Sequence, residues 1–200
     1  VFFVMLSLSS LLIATLACSE PERRIDPTIL APSNLSGLDL SYKNMARYDF
    51  SGKDMRGVNM IGSEITEANF TNTDLRNADL SDAFADRAIF NGADLRGAKL
   101  DRLCFIGALW TDAKLDPHWS EIVTLLAEGN EITKDLAGSD FSGICLKDYE
   151  LKGLNLSKAN LSGAQLAGTN FTGANLQQVN LTEARLGNTF LLEANLKGAI

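Results

Sequence analysis

Histidine, proline and cysteine are scarce in this chain of 200 residues, which has 1 His, 4 Pro and 3 widely spaced Cys. So few nitrogen and sulfur ligands leave little material for a zinc site or a histidine-based catalytic centre, and we expect no cofactor. Positive charge is also in deficit, with 18 Lys and Arg against 25 Asp and Glu and a net charge of −7. This balance argues against direct binding of nucleic acid through phosphate neutralisation.

The overall composition is that of a globular protein. Hydrophobic residues make up 46% and charged residues 22%, with a mean hydropathy near zero, which excludes wholesale disorder and a polytopic membrane protein. The length suits one domain or two small ones, with a core that needs neither disulfide nor metal. Glycine is abundant, with 16 residues, and this bias favours an internal repeat.

The N-terminal segment is typical of an export signal. Val1–Ala17 is uncharged and contains a long apolar run, and polar residues follow it. The residues Thr15-Leu16-Ala17-Cys18 resemble a lipoprotein lipobox, and this resemblance implies a lipid anchor on Cys18. Plain cleavage by signal peptidase, an uncleaved membrane anchor and a buried helix of the folded domain stay open.

We therefore divide off residues 1–18 as a signal peptide or lipoprotein signal and residues 19–33 as a linker. The protein is expected to be exported, either periplasmic or membrane-anchored in the manner of a lipoprotein. Its contact with the membrane would then run through the lipid anchor or the signal. No basic residue precedes Val1, and Val1 is not Met. Both observations are consistent with a sequence that has been clipped at its start.

From residue 35 onward, apolar residues recur with a period of five. Every fifth residue from Leu35 to Leu115 is apolar, and the pattern resumes one residue out of phase from Leu136 to Leu196, where every centre is Leu or Phe. The two series contain 30 repeats. We call residues 34–115 the first block, residues 116–135 the insert and residues 136–200 the second block.

The positions around each apolar centre are equally biased. Ala dominates two residues before the centre, and Asn or Asp occupies the residue before it in 18 of the 30 repeats. Gly stands two residues after the centre 14 times. A period of five matches neither a helix nor a strand, and it fits a chain that turns a corner every fifth residue. Large centres and small residues would point inward, while Asn, Asp and Gly suit tight turns.

Segments such as Ala93-Asp94-Leu95-Arg96-Gly97 and Ala174-Asn175-Leu176-Gln177-Gln178 resemble the A(D/N)LxG signature of the pentapeptide-repeat family. The resemblance covers about three quarters of the chain and implies the family's fold. The expected fold class is all-β, a right-handed four-sided pentapeptide-repeat β-helix in two blocks, interrupted by a short amphipathic α-helix. Four repeats would form one coil.

Some repeats depart from the pattern. Lys43, Tyr48 and Lys53 occupy a slot that is otherwise small, which predicts irregular first coils. Ala85 is undersized for a centre, and we expect the neighbouring Phe84 to compensate in part.

The insert predicts a short amphipathic helix. Asp116 and Pro117 suit the N-cap and the first helical position, and Gly129-Asn130 supplies a stop. The predicted contacts of the helix with the blocks lie at helical spacing, at Trp119, Ile122, Val123 and Leu126. Covering the rim of one block and joining it to the next is its expected role, with docking of a partner as the alternative.

The sequence offers few candidate residues for catalysis, ligand binding or cross-linking. His118 lacks a neighbouring cluster of ligands and fits a surface residue of the first helical turn. Cys104 and Cys145 both precede a centre, and an exported protein could join them in a disulfide if the insert brought their faces together. By repeat count alone they fall on adjacent faces of the β-helix.

Two function classes remain. The first is a non-enzymatic structural or protein-interaction scaffold of the bacterial cell envelope with an unidentified protein partner. The second follows from the resemblance, since one branch of the family mimics DNA and binds type II topoisomerases. Mimicry needs an acidic rod, whereas the first block has a net charge of −2, the second block 0 and the insert −4.

The chain ends at Ala199-Ile200 within a repeat, and such an open coil favours a homodimer unless the sequence is a fragment there.

Overall fold

The computed structural model describes residues 25–126 and 135–200. Its helices are a 3-10 helix at Pro27–Leu30 and one α-helix, α1, at Pro117–Leu126. The β-structure of these residues consists of isolated parallel bridges rather than extended strands. Neither helix of the described ranges has the length and apolar character needed to cross a bilayer.

The bridges define a coil of four faces. Each bridge joins residues twenty positions apart, as in Asn34 with Asp54 and Asp54 with Asp74. Bridged positions recur every five residues, so one coil of twenty residues has four sides. The bridges of the first block lie between Asn34 and Lys114, and those of the second block lie between Asp140 and Asn195.

Backbone hydrogen bonds between successive coils satisfy the polar groups of the main chain. The amide of Phe50 donates to the carbonyl of Asn69 at 2.8 Å, and the amide of Asn69 donates to the carbonyl of Tyr48 at 2.9 Å. The same two bonds repeat at almost every face. Because a buried backbone group without a partner is costly, a coil is stable only when another coil lies against it.

The five positions of a repeat have distinct roles. The centres from Leu35 to Phe105 and from Leu136 to Leu176 are at most 4% exposed, and the alanines two residues before them are largely buried as well. The Asn or Asp before the centre accepts the amide two residues on, as Asn69 Oδ1 does from Thr71 at 3.0 Å. The residue two after the centre has positive φ, which explains the preference for Gly there.

Aromatic centres on one face form a continuous stack in the core. The ring centroids of Phe50 and Phe70 are 5.0 Å apart, those of Phe70 and Phe90 5.1 Å, and those of Phe90 and Trp110 4.4 Å. Identical faces of successive coils bring these side chains into register, because residues twenty apart lie directly above one another. The stack therefore follows from the period of the sequence.

The first coils are regular, contrary to the prediction. The bridges begin at Asn34, and two of the three large side chains in the small slot, Tyr48 and Lys53, reach past the end of the stack. The Tyr48 hydroxyl donates to the carbonyl of Ile25 at 3.1 Å, and Lys53 Nζ donates to the carbonyl of Pro32 at 3.0 Å. Ile25 and Leu30 are buried in the core. Residues 25–33, predicted as a linker, thus cover the first coil.

We predict that Phe70→Ala lowers the free energy of unfolding by about 3–5 kcal/mol, because it removes a buried ring between two stacked neighbours. Phe84→Ala is the matched control, since Phe84 is 42% exposed, and it should cost about 1 kcal/mol or less. Chemical denaturation followed by circular dichroism measures both. Equal losses for the two variants would contradict the assignment of the core.

Candidate functional site

The insert contributes one face of α1 to the core. Ile122, Val123 and Leu126 are buried, and Trp119 is half-buried and packs against the same hydrophobic cluster. Asp116, directly before the helix, accepts the amide of Gly97 through Oδ2 at 3.0 Å. The four predicted contact residues therefore lie against the core. The predicted stop at Gly129-Asn130 lies outside the described residues.

Cys104 and Cys145 form a disulfide in the structure. Their Cα atoms are 5.0 Å apart, which is close to the spacing between hydrogen-bonded neighbouring chains of about 4.8 Å. The amide of Arg102 donates to the carbonyl of Gly143 at 2.5 Å, with the same sequence separation of 41. The two cysteines are therefore stacked and do not lie on adjacent faces.

The insert explains why counting repeats gave the wrong face. A separation of 41 exceeds the twenty residues of an uninterrupted coil by 21. Leu115, the last centre of the first block, and Leu136, the first centre of the second block, are 21 positions apart, so the repeats on either side of the insert occupy the same face. Repeat counting instead treated the repeats on either side of the insert as consecutive faces.

The joint between the blocks has few backbone contacts. Within residues 25–126 and 135–200, the bond from Arg102 to Gly143 is the one backbone hydrogen bond that links the two blocks. Elsewhere each coil shares several such bonds with the next. The joint therefore depends on the disulfide and on the shared hydrophobic core, to which both blocks and α1 contribute.

A groove runs along the outside of the face that carries the disulfide. Its volume is about 510 Å³, within the range of ligand pockets of about 300–1,000 Å³. We call it the joint groove, because residues of both blocks line it. The lining residues are Tyr42, Gly62, Asp82, Phe84, Arg102, Cys104, Cys145, Lys147, Gln165, Ala167 and Arg185.

The charged groups of the joint groove are mostly cations. Arg102 donates to both carboxylate oxygens of Asp82, from Nε at 2.7 Å and from Nη2 at 2.8 Å. These bonds lower the pKa of the Asp82 carboxyl and raise the pKa of the Arg102 guanidinium. Lys147 and Arg185 are exposed, and neither pairs with a carboxylate within 4.0 Å among the described residues. Arg185 also lowers the pKa of Asp82 through its charge, but it forms no ion pair with that carboxylate, so Lys147 and Arg185 both remain available to a ligand.

Aromatic side chains form the apolar part of the joint groove. Phe84 is 42% exposed and Tyr42 is 61% exposed. The Tyr42 ring covers Gly62, where an added Cβ would come within 2.6 Å of Tyr42 Cε1. The prediction that Phe84 compensates for the small Ala85 is therefore wrong. The residue before a centre points outward, so the Phe84 ring lies outside the core.

Comparison with known families identifies the repeat. The profile described as Pentapeptide repeats matches in eight copies, over residues 33–72, 73–109, 135–173, 150–188 and 174–200. The chain belongs to the pentapeptide-repeat family. No curated protein matches the chain.

Solved pentapeptide-repeat proteins are similar to this member of the family. HetL, involved in heterocyst differentiation regulation in Nostoc sp. strain PCC 7120, is 24% identical over 94% of both chains with a TM-score of 0.27. A thylakoid-lumen protein of Arabidopsis thaliana is 19% identical over 91% of this chain and 79% of its own, with a TM-score of 0.28. QnrB1, a plasmid-mediated fluoroquinolone resistance protein, is 18% identical over 88% and 78%, with a TM-score of 0.27. TM-scores this low carry no conclusion about function.

A ladder of ion pairs covers another face of this pentapeptide-repeat protein. Arg56, Arg76 and Arg96 each pair at 2.6 Å with the aspartate two residues before them. Arg56 also lies 3.7 Å from Asp74 on the next coil. Hydrogen bonds from Arg56 lower the pKa of Asp54 to about 2. The face therefore alternates in sign rather than being acidic.

The remaining predicted residues lie apart from the joint groove. Cys18 falls outside the described residues. His118 is half-buried in the first turn of α1, with its ring 5.4 Å from that of Trp119. Within the described ranges, no cluster of three or more His, Cys, Asp or Glu is arranged to hold a metal ion.

Sequence reasoning did not find the joint groove as a site. A signal was present, because Phe84 and Cys104 occupy the slot before the centre, where Asn or Asp is usual, and lie twenty residues apart. Cys145 and Arg185 occupy the same slot in the second block. To place Cys104 and Cys145 in one column, one must know that residues 41 positions apart are stacked at the joint. The sequence does not supply that separation.

We predict that Arg56→Gln raises the pKa of Asp54 from about 2 toward the ordinary value of about 3.9. The stabilisation from a carboxylate with a lowered pKa is present above the unfolded-state pKa and is lost as pH falls through the folded-state pKa. The stabilisation from the Arg–Asp ion pairs of the wild type should therefore be lost between about pH 4 and pH 2. Carbon-13 NMR titration of the carboxyl groups measures this shift.

Arg47→Gln is the matched control for this titration, because Arg47 pairs with Glu67 at 2.9 Å and not with Asp54. It should leave the pKa of Asp54 unchanged. An Asp54 that titrates near its ordinary value in the wild type would show that the ladder does not form in solution.

Proposed function

We propose that this protein is a non-enzymatic interaction scaffold of the bacterial cell envelope that works in an oxidising compartment. The observation that carries the proposal is the disulfide between Cys104 and Cys145 across the joint. Disulfides persist in exported proteins and are rare in the reducing cytosol. Because the joint has one backbone hydrogen bond among the described residues, a compartment that preserves this disulfide suits the fold.

The architecture supports a scaffold. The stacked coils place their apolar side chains inside and present rows of polar side chains on flat outer faces. Repeat proteins of this kind use such extended surfaces to contact partners. The joint groove is the concave part of this surface where cations and exposed aromatic rings meet.

A topoisomerase-binding mimic of DNA is the less favoured function. Duplex DNA carries a negative charge about every 1.7 Å along its axis. Here the aspartates of the ladder are neutralised by Arg56, Arg76 and Arg96, and the second block has no net charge. Export would also separate the protein from a cytosolic topoisomerase.

The N-terminal residues supply the proposed route to the envelope. The lipobox-like sequence before Cys18 would attach the protein to a membrane through a lipid, and the folded part would then stand outside the cytoplasmic membrane. A homodimer through the last coil stays a prediction.

Expression of the full chain behind an initiating methionine in a Gram-negative host tests the proposal. The wild-type protein should be found in the membrane fraction, and Cys18→Ser should move it to a soluble fraction. In both, Cys104 and Cys145 should react with a maleimide-polyethylene glycol reagent only after reduction, because the exported protein is oxidised.

The double variant Cys104→Ser with Cys145→Ser is the control for the labelling, since it should gain no reduction-dependent mass shift. Equal membrane association of the wild type and Cys18→Ser, with residues 1–17 cleaved from both, would exclude the lipid anchor. Free thiols at Cys104 and Cys145 in freshly harvested cells would overturn the proposal of an oxidising compartment.

A further inference from the structure

We propose that the joint groove binds an extended acidic peptide segment of a partner protein, with an apolar side chain of that segment seated against Phe84. This inference rests on the proposed function as an interaction scaffold and specifies the chemistry of the partner. It follows from the charge, the exposed apolar surface and the dimensions of the groove.

The charge of the joint groove is opposite to that of the protein as a whole. The chain has a net charge of −7, whereas the groove is lined by Arg102, Lys147 and Arg185 against the single carboxylate of Asp82. Asp82 is already held by Arg102. The nearby Glu64, one coil from Phe84 on the same face, accepts the amide of Thr66 at 3.1 Å. An anionic ligand is therefore favoured, because complementary charges guide association and set specificity.

Phe84 supplies an apolar anchor beside these cations. Its side chain is 42% exposed although its slot usually holds Asn or Asp. Aromatic residues are enriched among the few that contribute most of the energy of a protein interface. A purely anionic ligand such as free phosphate would leave this ring uncovered, whereas a peptide with an apolar residue among its acids would cover it.

The length of the joint groove suits an extended peptide. From Tyr42 to Arg185 the lining crosses six coil spacings, which correspond to about 29 Å at about 4.8 Å per coil. An extended chain rises about 3.3 Å per residue, so about nine residues would span the groove.

The disulfide holds the two halves of the joint groove in register. Phe84 and Arg102 belong to the first block, whereas Lys147 and Arg185 belong to the second block, and the disulfide lies between them in the lining. Because the joint has few other direct links, reduction should separate the apolar anchor from the two unpaired cations. Peptide binding should therefore require the oxidised protein.

Fluorescence polarisation with a labelled nonapeptide tests the proposal. The probe alternates Glu and Asp around a central Phe, and a second probe replaces every acid with Lys. The oxidised wild-type protein should bind the acidic probe and not the Lys probe. Lys147→Ala with Arg185→Ala should weaken binding by about tenfold or more, since two charges are removed from the groove. Phe84→Ala should weaken it about fivefold, as expected for loss of an interface anchor.

The matched control is Lys158→Ala with Lys197→Ala, which removes two exposed cations of the second block outside the groove. It should bind the acidic probe within about twofold of the wild type, because charges outside an interface contribute little. Thermal melting of each variant verifies that it is folded. Reduction followed by thiol alkylation should abolish binding in the wild type.

The proposal would be overturned by equal binding of the Lys probe, by equal loss in the control and the groove variant, or by undiminished binding after reduction. Vesicles of phosphatidylglycerol form a separate arm. If Lys147→Ala with Arg185→Ala lost vesicle binding while the wild type ignored the acidic probe, the groove would be a lipid-binding surface instead. These results leave the test of export and oxidation unaffected, so the two proposals fail separately.

Discussion

Stacking of each coil on the next through backbone hydrogen bonds is the constraint on which the rest of the structure depends. The amide of one residue pairs with a carbonyl nineteen residues further on, as in Phe50 and Asn69. No coil can satisfy its backbone alone, so the side chains must permit two neighbours to approach closely. This close approach of the coils is permitted by the small residues near the centres and by the positive-φ turns. The aromatic centres of successive coils then stack on one another.

Much of the fold could be predicted from the sequence because each side chain's position within the repeat determines its environment. The centres, the small slot and the turn glycines are all recognisable by counting in fives. Exceptions have local causes. Tyr48 and Lys53 are tolerated because the first coil has an open side onto which residues 25–33 fold. Phe84 points outward because the backbone at its slot faces away from the core, whatever the size of Ala85.

The candidate site could not be predicted in the same way. It lies where two repeat series meet, and the relation between Cys104 and Cys145 depends on how many faces the insert skips. Sequence periodicity carries no information about that number, because residues 116–135 have no repeat. The buried face of α1, with Ile122 and Val123, was visible from helical spacing, but the resulting alignment of the blocks is a property of the packed structure.

The central claim is that the joint unites both blocks in one stack and that the disulfide maintains it. Hydrogen–deuterium exchange of the oxidised and the reduced, alkylated protein, read by mass spectrometry, tests this most directly. Reduction is predicted to speed exchange in peptides covering 100–110 and 141–150, while peptides covering 60–80 remain protected by the coils on either side. Unchanged exchange at the joint, or an equal increase in all three segments, would contradict the account.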